Sequence, residues 1–226
     1  MSKVYHSKLQ ALNNNYDEIE AIKYNILRNR NTTETNMIII DLEWNQSPGN
    51  IDEDDPDYFV GDIIEIGAVR TDARFKVTDK YRSLVRPVQI PVLSASVKKL
   101  TRISQEELRM QRPLNEILPE FLAWCGGDML FGEWGTSDEK ALRQNADLYG
   151  IELPEELSFV DLQEKFDRDY LYEEQRCSLS RAVEIMGVRI KGAHDALYDC
   201  INTALVFEKW CPDTLEILNM PEEEQE

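Results

Sequence analysis

A single α/β domain with an antiparallel start is the fold class this chain predicts, and three observations carry it. Strand-like runs follow one another from Met37 to Val88, apolar helical spacing takes over after Ser104, and helices and strands then alternate to the end of the domain. The chain has 226 residues, 42% of them hydrophobic, which is enough for one sizeable core with terminal additions.

The elements follow in order. Residues 5–29 carry Leu9, Leu12, Tyr16, Ile19 and Ile26 at helical spacing, weakened by Asn13, Asn14 and Asn15, and "NRNTTETN" at 29–36 is a polar linker. The main domain starts with the strand "MIIIDLEWN" at 37–45. "DIIEIGAVRT" at 62–71 and "KYRSLVRPV" at 80–88 are rich in Ile, Val and Tyr with turn residues between them, and read as the second and third strands. Ser104 and Glu107 form a capping box that opens a helix at 104–108, and "LNEILPEFLAWC" at 114–125 is the next helix. "DMLFGEW" reads as a strand, and a helix opens at Thr136, with Glu139 completing a second capping box, and closes at Gly150. "LSFVDL" at 157–162 is the last strand, and helices at about 178–187 and 195–210 end the domain. This divides the chain into an N-terminal helix and linker at 1–36, a domain at 37–210 and an acidic tail at 211–226.

Composition narrows the function classes. A net charge of −18 argues against a protein that coats a long duplex, because such affinity comes from Lys and Arg neutralising phosphates. It leaves room for an enzyme that grips one terminus. The acids of "NIDEDDPDYF" at 50–59 and "PEEEQE" at 221–226 read as solvated, and the former lacks the glycine and closing glutamate of an EF-hand. No run of 18 or more apolar residues and no basic-then-apolar start is present, so neither a membrane span nor a signal peptide is expected, and the location by default is cytoplasmic. Cys125, Cys177, Cys200 and Cys211 are widely spaced, and His6 and His194 are the only histidines; free thiols fit better than a zinc site.

The acids within the domain are the informative residues. Asp41 and Glu43 sit two apart on a strand, so they point the same way, roughly 7 Å apart along it. Behind Ile38, Ile39 and Ile40 the two carboxylates either lie at a solvated strand end or hold a divalent cation between them. Asp138 falls in the first turn of its helix, where the dipole favours a carboxylate. His194 precedes the final helix and Asp199 lies within it.

The order of "IIIDLEW", "IIEIGAV", "LVRP", "LTRIS", "EWGTSDEKAL" and "AHDALYDCINTA" resembles the DEDDh 3′-to-5′ exonuclease superfamily, the RNase T and DNA polymerase III epsilon group, and within it the ERI-like and KapD-like exonucleases. The resemblance covers residues 37–210 and implies an RNase H-like fold: a mixed sheet, its first three strands antiparallel, flanked by helices. It implies that Asp41, Glu43, Asp138 and Asp199 bind two Mg²⁺ or Mn²⁺ ions, with His194 as general base. It also implies that Leu42, Trp44, Leu100, Thr101 and Ile103 contact the substrate. In a chain so poor in positive patches, Lys98, Lys99 and Arg102 are the candidates for phosphate contacts. The expected activity is release of nucleoside 5′-monophosphates from the 3′ end of single-stranded nucleic acid, with RNA slightly favoured. Single-stranded DNA or short oligonucleotides are the alternative substrates, and a non-catalytic RNA 3′-end binding module using residues 5–29 for a protein partner or self-association is the alternative class.

Overall fold

A computed structural model describes residues 36–46, 58–172, 175–188 and 195–210 of the chain. The expected N-terminal helix at 5–29, most of the acidic loop, His194 and the tail lie outside the described residues. Strands β1 (Met37–Gln46), β2 (Gly61–Thr71) and β3 (Val77–Leu84) come first, followed by helices α1 (Ala95–Thr101), α2 (Gln105–Arg109) and α3 (Leu114–Cys125). Then come β4 (Leu130–Glu133), α4 (Ser137–Leu148), β5 (Ser158–Asp161), α5 (Leu162–Lys165), a π-helical turn Phe166–Leu171, α6 (Leu179–Met186) and α7 (Ala196–Trp210).

The five strands form one mixed sheet in the order β3-β2-β1-β4-β5. The first three are antiparallel to one another, whereas β4 is parallel to β1 and β5 to β4. Both faces of the sheet are covered, which is why β1 and β2 read as nearly continuous apolar runs. Ile38, Ile40 and Leu42 point to one face and pack with Phe121, Phe131, Ala141 and Leu142. Ile39 points to the other, with Val69, Phe166, Met186, Cys200 and Phe207. Strand alternation therefore commits Asp41 and Glu43 to the face covered by α7.

A register shift lies between Glu43 and Trp44, where Glu43 is opposite Glu65 but Trp44 is opposite Ile63. The extra residue, Ile64, packs in a separate small cluster with Leu93, Val97, Ile103 and Leu108. The bulge thus anchors α1 and α2 beside the end of β1.

Several boundaries differ from the sequence expectations. The third strand runs over Val77–Leu84 rather than 80–88, because Val77 already pairs with Thr71 and Pro87, lacking an N–H, follows the strand's end. Helix α1 has no counterpart in the expectations, although Ser94 caps it by accepting from the Val97 N–H. The Ser104–Glu107 capping box forms as expected. The one expected at Thr136 and Glu139 does not: Thr136 has φ −138° and ψ 12°, away from the extended cap conformation, and Glu139 pairs instead with Arg143 at 2.8 Å. The start of α4 is capped by Glu133, whose Oε2 accepts from the backbone N–H groups of Asp138 at 2.8 Å and Glu139 at 3.2 Å.

Candidate active site

The site grows out of the parallel pairing of β1 and β4. Parallel neighbours end at the same edge, and ligand sites of open α/β sheets lie at the carboxyl ends of such strands. Asp41 and Glu43 stand near that end of β1, and α4, which carries Asp138, starts just beyond β4. Asp138 is only 7% exposed, and its Oδ1 accepts from the Leu42 backbone N–H at 2.8 Å, which ties the helix start to β1 between the two acids.

Asp199 arrives from α7. That helix can come close because β2 places Gly67 opposite Asp41: a Cβ at Gly67 would lie 2.3 Å from the Ala196 carbonyl carbon and 2.4 Å from the Leu197 nitrogen. The Cys200 thiol donates to the Gly67 carbonyl at 3.3 Å, and Asp199 precedes it in the helix. In the result, Asp41, Glu43 and Asp199 each offer a carboxylate oxygen within 4.8 Å of the others. Asp138 stands outside that triplet but adjoins it, its charge being the largest electrostatic influence on Asp41 after burial.

Electrostatics follow from this crowding. Burial first, then the charges of Asp138, Asp199, Glu43 and Glu65, push the Asp41 carboxyl well above the ordinary range. Glu43 rises to about 7 through burial and the charges of Glu65, Asp199 and Asp195. Asp138 rises to about 8 through burial and the charge of Glu133, against the lowering effect of the Leu42 N–H. Glu133 is itself pushed up to about 7 by burial, opposed by the N–H groups it caps. Carboxylates held this close in a partly desolvated place are unfavourable as bare anions and fit a hard divalent cation that takes oxygen ligands.

The other predicted contact residues divide. Leu42 is buried in the core and contributes its backbone N–H to Asp138, while Trp44 is half-buried against the same core. Leu100 is 48% exposed, and Lys98, Lys99 and Arg102 are exposed beside it. Thr101 and Ile103 are buried: the Thr101 hydroxyl donates to the Val97 carbonyl at 2.9 Å and accepts from the Ile103 N–H at 3.2 Å, so both shape the turn that follows α1.

Other residues were not singled out by the sequence reading. Asn45 is fully buried and holds the segment before α1 against β1, donating to the carbonyls of Ile90 at 2.7 Å and Val92 at 3.0 Å and accepting from the Ser94 N–H at 3.1 Å. Glu65 is buried in β2 opposite Glu43 and pairs with Arg82 of β3. A charge inside the apolar run "IIEIGAV" was the same kind of signal as Asp41, and could have marked Glu65. Nothing in the sequence separates Arg82 from the other arginines.

Acids gathered at the carboxyl end of β1 in such a sheet form a site suited to a metal-dependent nuclease, and comparison with known proteins points the same way. A family model described as exonuclease, RNase T, matches residues 38–207. The DNA polymerase III epsilon subunit of Aquifex aeolicus is 30% identical over 148 residues, covering 66% of this chain and 71% of that protein. A probable 3′-5′ exonuclease, KapD of Bacillus subtilis, is 27% identical over 196 residues, covering 84% of this chain and 90% of its own. Among solved structures, the nuclease domain of 3′hExo, a DEDDh family member bound to rAMP, superposes with a TM-score of 0.68 at 22% identity, covering 80% of this chain and 94% of that one. Cell-death related nuclease 4 superposes with a TM-score of 0.66 at 20% identity, over 79% of this chain and 64% of its own. The chain belongs to the RNase T exonuclease family and is a 3′-to-5′ exonuclease with an RNase H-like fold, and its acidic cluster suits the divalent metal on which that family depends. Among the described residues no helix is long and apolar enough to cross a membrane.

Proposed function

We propose that this exonuclease shortens single-stranded nucleic acid from the 3′ end, releasing nucleoside 5′-monophosphates, with RNA slightly favoured over DNA. The observation that carries the reading is the convergence of Asp41, Glu43 and Asp199 within 4.8 Å, with Asp138 beside them. These four carboxylates are assigned two Mg²⁺ or Mn²⁺ ions. When bound, such ions supply the positive charge that steadies the attacking and departing oxygens of a phosphodiester. The chain's own residues do the rest. Asp138 is held in place by the Leu42 N–H and by the Glu133 cap on its helix. His194 is assigned as the general base that takes the proton of the attacking water, a role suited to an imidazole, which can accept and later release a proton.

Leu100, exposed at the end of α1, presents an apolar side chain suited to any base face, while Thr101 and Ile103 shape the turn that presents it. Trp44, half-buried beside Glu43, completes the proposed terminal-nucleotide site, to which Leu42 contributes only through its backbone N–H to Asp138. Lys98, Lys99 and Arg102 are the proposed phosphate contacts. Preference for RNA is supported by two neighbours, the 3′hExo nuclease domain with rAMP and a 3′-exonuclease described in 3′-end specific recognition of a histone mRNA stem-loop, at TM-scores of 0.68 each. The ssDNA complex of E. coli exonuclease I, with a TM-score of 0.64, supports the DNA alternative. A cytoplasmic location is also proposed, in keeping with Cys125 and Cys200, which are buried thiols outside any disulfide.

The test is incubation of 5′-labelled RNA and matched DNA with the protein and Mg²⁺ or Mn²⁺. A ladder of shortened strands, with nucleoside 5′-monophosphates resolved by chromatography, is expected. Asp41→Ala, Glu43→Ala or chelator abolishes it. Cutting of circular strands at comparable rates, or turnover in chelator, refutes the reading.

A further inference from the structure

The helix that delivers Asp199 is held at its first turn by a second set of charges outside the proposed metal ligands. Arg82 lies on β3 directly opposite Gly67, which in turn lies opposite Asp41, so one row across the sheet runs Asp41, Gly67, Arg82. The start of α7 sits over the middle of that row, where Gly67 has no Cβ to obstruct it. From β3, the Arg82 Nε reaches the Glu65 Oε1 at 2.5 Å and its Nη2 reaches the Asp195 Oδ2 at 3.0 Å.

Both carboxylates are themselves bonded to the first turn of α7. Glu65, 1% exposed, accepts from the Ala196 backbone N–H. Asp195 Oδ1 accepts from the Tyr198 N–H at 3.3 Å, and its carbonyl accepts from the Asp199 N–H at 2.9 Å. The guanidinium fork therefore joins β2, β3 and the cap of α7. A planar fork can serve two carboxylates in different directions, which an ammonium on a flexible stem does poorly.

We propose that Arg82 is a positioning residue for catalysis: by clamping Glu65 and Asp195 together it sets the register of the first turn of α7, and through it the place of Asp199. Without the guanidinium, Glu65 and Asp195 face each other as like charges, close to Glu43 and to the helix start they cap. The turn then shifts or frays, and Asp199 leaves the oxygen cluster. The inference rests on the proposed role of Asp199, but the clamp itself can be examined apart from any activity.

The experiment uses the full chain as wild type, Arg82→Met, Arg82→Lys, Asp195→Asn and the Arg82→Met/Asp195→Asn double variant. Amide hydrogen exchange at 195–199, Mn²⁺ binding by calorimetry, and kcat and KM on a short 5′-labelled oligonucleotide are measured for each. Arg82→Met is expected to speed exchange at Tyr198 and Asp199, weaken Mn²⁺ binding and lower kcat by roughly 10- to 100-fold, the usual range for residues that orient metal ligands, while KM holds. Arg82→Lys recovers only part of the loss. The double variant recovers kcat relative to Arg82→Met, because Asn still caps the helix without the repelling charge, so the two changes are not independent. Unchanged exchange at 195–199 with superimposable Mn²⁺ titrations, or losses that simply multiply in the double variant, overturn the proposal. If Arg82→Met does not fold, Arg82→Lys and Asp195→Asn carry the same comparison. If the wild type itself hydrolyses no phosphodiester, the proposed function fails, while exchange and Mn²⁺ binding still decide the clamp.

Discussion

Raising the pH of the metal-free protein is expected to destabilise it, the reverse of the usual acid denaturation. Glu43 titrates at about 7 in the fold against 4.5 as an ordinary glutamate, because burial and the charges of Glu65, Asp199 and Asp195 oppose its ionised form. The folded protein therefore keeps a proton that the unfolded chain has already released. A group with a raised folded pKa contributes stability that is fully present below its unfolded value and lost as pH rises through its folded one. At ~1.4 kcal/mol per pH unit, the loss from Glu43 alone is ~3 kcal/mol, spread between about pH 4.5 and about pH 7. Asp138, raised to about 8 by burial and the charge of Glu133, extends the window upward. Asp138 and Glu43 also repel one another, so their contributions overlap and ~3 kcal/mol is taken as the scale. For a domain of this size that corresponds to a melting temperature lower by roughly 6–12 °C. The assay is calorimetric melting in chelator across a pH series, repeated with Mn²⁺. The cation should restore stability at the alkaline end and much less at the acid end, where protons compete for the carboxylates. Glu43→Gln, although expected to be catalytically dead, should melt higher than wild type in chelator at alkaline pH and show a flatter profile. A metal-free wild type equally stable at both ends, or a Glu43→Gln profile parallel to it, would refute the reasoning.

Three further outcomes are expected. His194→Ala retains Mn²⁺ binding by calorimetry yet loses roughly 10²- to 10⁴-fold in kcat, the range for a general base; loss of Mn²⁺ binding instead would make it a ligand. Gly67→Ala, whose Cβ meets α7 backbone, destabilises by about 1–3 kcal/mol in denaturant titration and lowers kcat by displacing Asp199, and an unchanged variant would mean α7 is not seated on β2. Binding of short oligonucleotides to the Asp199→Ala variant, measured by fluorescence, varies shallowly with monovalent salt, by about two phosphates' worth at −0.7 each. A steep slope would reveal a basic groove beyond Lys98, Lys99 and Arg102.

The local content of the site was legible along the chain. Period-two alternation alone placed Asp41 and Glu43 on one face of a buried strand, and the order of motifs named the partners Asp138 and Asp199 before any contact was known. Elements with strong periodicity or local caps, such as β1, α2 with its Ser104–Glu107 box, and α7, were legible for the same reason: their signals are carried by neighbours in the chain. The remaining features arise from packing between distant segments. The cap of α4 comes from Glu133 on β4 rather than from Thr136, because the backbone angles of Thr136 follow from how β4 hands over to the helix. Asn45 bonds residues more than forty positions away, Arg82 matters only because β3 lies beside β2 and near the first turn of α7, and Gly67 matters only because a helix lands on it. Such roles depend on pairings between segments distant in sequence. No residue's own propensity encodes them, since the free energy involved appears only when the sheet and its last helix are packed together.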